Sequence, residues 1–224
     1  MGVIIPFKRP DGQDASGYLA HCGIANAPGV VVIQEWWGLQ DQIKGLCDRF
    51  AAAGFDALAP DLYRGTVVAY HDTDGANKAM TSLDFIDATE QTVRGAAQYL
   101  KRNGARAGIT GFCMGGAVAI IASARVPDVS AAVAFYGIPP EGAAKAADVK
   151  IPLQGHFASK DDWCTPKVVD EFEGKLKAAG KSYEFFRYDA DHAFVNEQRM
   201  SVHDRAAAEL AWGRAVAFFR QHLG

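Results

Sequence analysis

A thiol can attack a carbonyl carbon once its proton has somewhere to go. Cys113 stands in Gly111-Phe112-Cys113-Met114-Gly115-Gly116, a turn bracketed by glycines. Ahead of it, Ala107-Gly108-Ile109-Thr110 reads as a buried strand, and behind it the apolar run from Ala117 to Ala122 reads as a buried helix. Strand, tight turn and helix form the setting of a nucleophile elbow, G-x-S-x-G, with cysteine in the serine position. The nucleophile of an elbow takes a strained backbone conformation, and flanking side chains would strike the neighbouring strand and helix. The helix N-terminus favours negative charge at Cys113. Close helix–strand packing around a buried cysteine would produce the same short pattern, so the rest of the chain has to discriminate.

A thiol nucleophile needs a base, and the base needs an orienting carboxylate. The order nucleophile, acid, histidine goes with the α/β-hydrolase fold. Here the order is Cys113, then Asp161 or Asp162, then His192. His192 lies late, in a loop ahead of the last helix; the bland alternative is a cap on that helix or a pair with Asp191. His203 and His222 fall on the final helix, His21 and His71 lie toward the N-terminal side, and His156 precedes the acid loop. These read as structural or solvated. No H-E-x-x-H pattern occurs, so a metal hydrolase is disfavoured and no cofactor is expected.

Secondary structure must bring these residues together. Val3 to Lys8 and Ser16 to Ala20 read as a hairpin about Pro10-Asp11-Gly12. Val30 to Gln34 is a continuous apolar run, typical of a strand buried on both faces, and it ends in Glu35-Trp36-Trp37-Gly38. Residues 40–53 pattern as a helix with Ile43, Leu46, Cys47 and Phe50 on one face and Gly54 closing it. Phe55 to Pro60 is the next strand, leading into Asp61-Leu62-Tyr63-Arg64-Gly65. Residues 66–77 read as a polar surface loop. Residues 78–102 read as an amphipathic helix, interrupted near Ser82 to Phe85 and stopped by Asn103-Gly104. Beyond the elbow, Val129 to Gly137, Ile151 to Phe157 and Tyr183 to Tyr188 read as strands. Pro166 to Ala179 and Val202 to Leu223 read as helices.

This alternation predicts one α/β domain over residues 1–224, a mainly parallel sheet with helices on both faces. In open α/β sheets the active groups gather beyond the carboxyl ends of strands. Cys113, Glu35, Arg64, Asp161 and His192 each follow a predicted strand, so they are expected to converge.

Composition narrows the partners. Hydrophobic residues at 49% and charged residues at 22% are ordinary for a globular chain. Lys and Arg number 23 against 26 Asp and Glu, a net charge of −3 with no basic stripe, so neither nucleic acid nor an anionic membrane is an expected partner. No apolar run approaches a membrane span. Met1 to Pro6 lacks the features of a secretory signal, and a cytoplasmic location is expected. Cys22, Cys47 and Cys164 form no C-x-x-C or zinc spacing and read as incidental reduced thiols.

On these residues the chain resembles the dienelactone hydrolases, or carboxymethylenebutenolidases, of the α/β-hydrolase superfamily. The likeness covers nearly the whole chain. It rests on Gln34-Glu35-Trp36-Trp37-Gly38, Pro60-Asp61-Leu62-Tyr63, the elbow, the acid loop and His192-Ala193-Phe194. The cysteine elbow together with Gln-Glu after an early strand is specific; either alone is weak. The resemblance implies Cys113 as nucleophile and His192 as base. It implies that Glu35 contacts the resting thiol and helps convert it to thiolate when substrate binds. A buried carboxylate of raised proton affinity can accept a thiol proton, so this role is physically sensible. The backbone N–H groups of Trp36 and Met114 are the implied oxyanion hole. Trp37 and Arg64 are the implied substrate-binding residues, with at least one of the two tryptophans lining the pocket.

Counting forward from His156 favours Asp161 as the acid; counting back from Pro166 favours Asp162, because the loop is one residue longer than the family's usual form. The strand is the more rigid reference, so Asp161 is preferred. The two arginines by which the family's best-known members hold a substrate carboxylate are not both matched. Arg64 lies near the first position in a differently spaced Tyr-Arg-Gly, Asn196 occupies the second, and Arg199 is near but not equivalent. Dienelactone, a related anionic lactone and an ordinary ester therefore all stay open.

The expectation is a cofactor-free hydrolase, monomer or small homo-oligomer, that opens a small-molecule ester or enol-lactone through acyl-Cys113. A general carboxylesterase or thioesterase is the second reading. A redox-reactive or non-catalytic binding protein on the same scaffold is the reading from a different class. No resolving cysteine is placed by spacing, which counts against the redox alternative.

Overall fold

The continuous apolar runs form the centre of one eight-stranded sheet, where both faces are covered. The computed structural model describes residues 1–102 and 104–224. The strands are β1 (Val3–Lys8), β2 (Asp14–Ala20), β3 (Gly29–Ile33), β4 (Asp56–Pro60), β5 (Ala107–Phe112), β6 (Ala132–Phe135), β7 (Leu153–Ala158) and β8 (Tyr183–Tyr188). Their order is β1-β2-β4-β3-β5-β6-β7-β8. β1, β2 and β4 pair antiparallel; every other pairing is parallel. β3, β5 and β6 are buried along their whole length, as a parallel sheet covered by helices requires.

The helices are α1 (Asp41–Ala52), α2 (Thr73–Thr81), α3 (Phe85–Asp87), α4 (Arg94–Lys101), α5 (Met114–Arg125), α6 (Pro166–Ala178) and α7 (Arg205–Leu223), with a π-helical stretch Ala88–Val93 joining α3 to α4. Successive strand residues point to opposite faces. A Cβ on Gly108 would meet Phe219 of α7, and one on Gly111 would meet Gly115 of α5, so these two helices cover opposite faces. α1 joins α7, with Phe50 5.9 Å from Phe219 and 4.5 Å from Trp212.

Four rings form a ladder across the parallel half of the sheet. Phe112, Phe135, His156 and Phe186 are register partners on β5 to β8. Successive centroids stack at 4.6, 4.6 and 5.6 Å. His156 is a structural member of this ladder: one ring nitrogen is 2.8 Å from the Tyr188 hydroxyl and the other 2.9 Å from Gln154 Oε1. Burial pushes its pKa down to about 3, so it is neutral at physiological pH.

The sequence reading and the structure part in a few places. The loop expected over 66–77 is helical from Thr73. The Asp72 side chain accepts the Gly75 N–H, so a residue inside the expected loop is an N-cap. The strand expected to reach Gly137 ends at Phe135, because Tyr136 turns to φ +38°. His203 precedes α7 rather than lying on it, and its ring meets the Phe194 carbonyl at 3.0 Å. Of the expected stop at Asn103-Gly104, Asn103 lies outside the described residues. Among the described residues no helix is long and apolar enough to cross a membrane.

Candidate active site

Cys113 follows β5 at φ +57°, ψ −119°, a conformation that a side chain rarely adopts. Neighbours hold it there. Its N–H donates to the Phe135 carbonyl at 3.0 Å, and its carbonyl accepts the Gly116 N–H at 2.9 Å to start α5. The glycines are required by close approach. A Cβ on Gly111 would lie 2.0 Å from the Gly115 carbonyl oxygen, and one on Gly115 would lie 2.5 Å from that of Ile33. The elbow is therefore wedged between β3 and its own helix. The backbone N–H groups of Met114 and Trp36 face the Cys113 sulfur and favour its anionic form. Burial and the Glu35 charge outweigh them, so the resting thiol holds its proton well above the usual cysteine range.

The acid loop leaves β7 still tied to the chain beyond β8. Ser159 N–H donates to the Tyr188 carbonyl at 2.8 Å, and Lys160 N–H to that of Ala190 at 3.1 Å. This pairing extends the strand register up to Asp161, which points inward. Its Oδ2 lies 2.6 Å from His192 Nδ1, and its Oδ1 accepts the N–H groups of Trp163 and Cys164, both at 2.8 Å. Asp162, the alternative acid, is exposed on the cleft rim. The His192 ring is held edge-on between Tyr136, at 5.1 Å, and Trp163, at 5.3 Å. Among the described residues no hydrogen bond joins Cys113 Sγ to His192, although both line one cleft.

Glu35 follows β3 and is only 3% exposed. Its Oε1 accepts the Tyr136 hydroxyl at 3.2 Å and its Oε2 accepts Asn196 Nδ2 at 2.9 Å. Burial raises its pKa; Asn196, His192, Arg199 and Tyr136 pull the other way.

The cleft above these groups has a volume of about 430 Å³. Cys113 and His192 lie in it beside Trp36, Trp163 and Met80. Two cations, Lys160 and Arg199, share the lining with two anions, Asp162 and Asp191. Trp37 is 2% exposed and packs under Trp36 with Val68 and Ala76, so the structure brings Trp36 rather than Trp37 to the cleft. Arg64 is exposed at φ +52° and is not part of the lining. It does not pair with Asp61 either, whose carboxylate accepts the Tyr63 and Gly65 N–H groups.

Sequence reasoning gave no role to Tyr136, Trp163, Lys160 or Met80, and treated Asn196 and Arg199 only as departures. Tyr136 had a usable signal, a polar aromatic at the carboxyl end of a central strand. Arg199 had none, since its reach into the cleft depends on how the 190–204 loop folds back.

The dienelactone hydrolase family profile matches residues 15–223. The chain belongs to the dienelactone hydrolase family. It is 35% identical to "Protein usf" of Aquifex pyrophilus and 34% identical to a "Putative carboxymethylenebutenolidase" of Aquifex aeolicus, each over all of both chains. Among solved structures, a "Putative Dienelactone Hydrolase" from Klebsiella pneumoniae superposes with a TM-score of 0.87 at 29% identity, covering 99% of this chain and 100% of that one. Like the rest of the dienelactone hydrolase family, the chain is a carboxylic ester hydrolase with the α/β-hydrolase fold.

Proposed function

We propose that this dienelactone hydrolase opens an enol-lactone or a small ester through a Cys113–His192–Asp161 triad and an acyl-cysteine intermediate. The observation that carries the reading is the 2.6 Å contact between Asp161 and His192 in the cleft that holds Cys113. The Asp161 carboxylate fixes the His192 tautomer with its proton on Nδ1, leaving Nε2 free as base.

The resting thiol is disfavoured as an anion, so it needs activation at the moment of use. Glu35 is the nearby acceptor. When substrate enters, the Cys113 proton passes to Glu35 and the thiolate attacks the carbonyl carbon. The Trp36 and Met114 N–H groups hold the oxyanion. The tetrahedral intermediate collapses with loss of the alkoxide or enolate, to which neutral His192 relays the proton that Glu35 took from Cys113. His192 then takes a proton from water, whose oxygen attacks the thioester, and returns it to the departing sulfur, releasing the acid and the thiol. A thiol that rests protonated in a buried site is also a poor trap for peroxide, which disfavours the redox alternative.

A general carboxylesterase is the second reading, favoured by the mixed cleft charge and by Arg64 lying outside the lining. p-Nitrophenyl acetate tests the machinery. A burst of phenolate and an acetyl adduct on the Cys113 peptide are expected, and both should vanish in Cys113→Ala. A steady rate that survives Cys113→Ala would overturn the acyl-cysteine mechanism. Rates on cis- and trans-dienelactone against neutral aryl esters then separate the two substrate readings.

A further inference from the structure

Glu35 is a buried carboxyl group without an ion pair among the described residues. Among the described residues its two hydrogen-bond partners, Tyr136 and Asn196, are both uncharged. The groups facing it come from every neighbouring element. They are Cys113 at the elbow, Tyr136 after β6, Tyr70 after β4, and His192 and Arg199 in the loop after β8. Arg199 acts on it through its field, not by contact.

The two donors differ in kind. The Tyr136 hydroxyl can donate to a carboxylate or accept from a neutral acid. The Asn196 amide is oriented by its own acceptor: Oδ1 takes the Gln198 N–H at 3.1 Å, which leaves Nδ2 toward Glu35 at 2.9 Å and toward the Tyr70 hydroxyl at 3.5 Å. An amide N–H can only donate, so it favours the carboxylate over the acid.

We infer that Asn196 is a positioning residue for the nucleophile: its amide N–H holds Glu35 ready as a carboxylate and thereby governs proton exchange with Cys113. The inference rests on the reading of Glu35 as the thiol's proton acceptor. In the exchange the S–H bond of Cys113 breaks, an O–H bond forms on Glu35, and the electron pair stays on sulfur. The two groups titrate as a coupled pair. A neutral Glu35 must first lose its proton before it can take one from the thiol. Asn196 eases that first loss. It also restrains the exchange, because a carboxylate with a good donor is a weaker base. Removing the N–H therefore has two signatures. The pH at which Cys113 becomes reactive rises, and the reactivity above that pH rises as well. A simple packing defect does not produce both.

The test is the rate of Cys113 alkylation by iodoacetamide, read at its own peptide by mass spectrometry, from about pH 5 to pH 10. A hydrogen bond to a charged carboxylate corresponds to about one pKa unit or more. Asn196→Leu is expected to move the midpoint up by about one unit and raise the plateau several-fold. Asn196→Gln, which keeps an N–H, should move the midpoint back toward the wild-type value. Glu35→Gln should abolish this midpoint and leave the thiol to ionise alone at higher pH. If Glu35→Gln keeps the wild-type profile, the proton-acceptor reading itself is wrong. If Glu35→Gln loses the midpoint while Asn196→Leu keeps it, the role of Asn196 alone is overturned. Should the leucine variant not fold, Asn196→Ser, too short to reach Glu35, is judged by the same two signatures.

Discussion

Replacing Asp161 by asparagine puts one geometry under a severe test. The Asp161 carboxylate spends Oδ1 on two N–H donors, from Trp163 and Cys164, and Oδ2 on His192 Nδ1. An asparagine has one acceptor oxygen. Two fixed backbone donors will claim it, since the amide NH₂ would otherwise face N–H groups head-on. The NH₂ must then point at His192 Nδ1, which can meet it only as an acceptor. The imidazole proton moves to Nε2, the atom that should take protons. The fold is kept but the base is in the wrong tautomer. The same exchange in a serine triad costs about 10⁴ in kcat. The Asp161–His192 contact is 2.6 Å and Asp161 is only 4% exposed, so a loss of about 10³ to 10⁴ is expected, or roughly 4–5.5 kcal/mol of barrier. Asp162→Asn, exposed and without a hydrogen bond to His192, should stay within about twofold of wild type. Turnover of p-nitrophenyl acetate, with thermal melts to confirm folding, decides. A crippled Asp162→Asn beside an Asp161→Asn within tenfold of wild type would refute both the acid and the tautomer argument.

Other changes should be read as follows. Gly111→Ala forces a Cβ to 2.0 Å from a backbone oxygen, so it should destabilise by at least about 3 kcal/mol in urea unfolding or yield no folded protein. Trp163→Ala removes the ring that edges His192 but keeps the N–H to Asp161; KM for aryl esters should rise about 2–10-fold with kcat little changed, as expected for a lost aromatic contact. The His156 pKa is depressed in the folded state, to about 3 from 6.5. Above pH 6.5 the group is neutral in both states and contributes no pH dependence. Between 6.5 and 3 the unfolded chain binds a proton that the native ladder refuses, so stability should fall as pH falls, by up to about 1.4 kcal/mol per unit. Urea titrations at several pH values, compared with His156→Gln, isolate that slope; an unchanged slope in the variant would refute the assignment.

Much of this site was legible because its residues follow strands. The apolar runs at 30–34 and 107–110 placed Glu35 and Cys113 at carboxyl ends of a parallel sheet, and β8 placed His192. Asp161 was chosen over Asp162 by counting from a strand, and the contact to His192 falls at that residue because Ser159 and Lys160 continue the β7–β8 register. What depends on loops returning to the sheet was not legible. The fold-back of 190–204 sets Asn196 under Glu35 and Arg199 in the cleft, and no local pattern in Asn-Glu-Gln-Arg encodes that. Arg64 lies outside the cleft lining for the converse reason. It directly follows a motif that forms as expected, but the Asp61 turn spends itself on backbone N–H groups and sends the next side chain outward.

The strain at the site explains why the ring ladder lies where it does. Cys113, Tyr136 and Ala193 all hold positive φ, at 57°, 38° and 64°. Each such residue costs of order 1–3 kcal/mol, so the surroundings must over-determine it. Cys113 is pinned by its N–H to Phe135, and Tyr136 by its N–H to the His156 carbonyl at 2.8 Å. Both anchoring carbonyls belong to members of the stack that joins β5, β6 and β7. The ladder therefore fixes the register on which the strained turns depend. Tyr136 carries that order to Glu35 by its hydroxyl and to His192 by its ring, linking the two across the cleft floor. A slip of one residue in any of these strands would displace Cys113, Glu35 and His192 together.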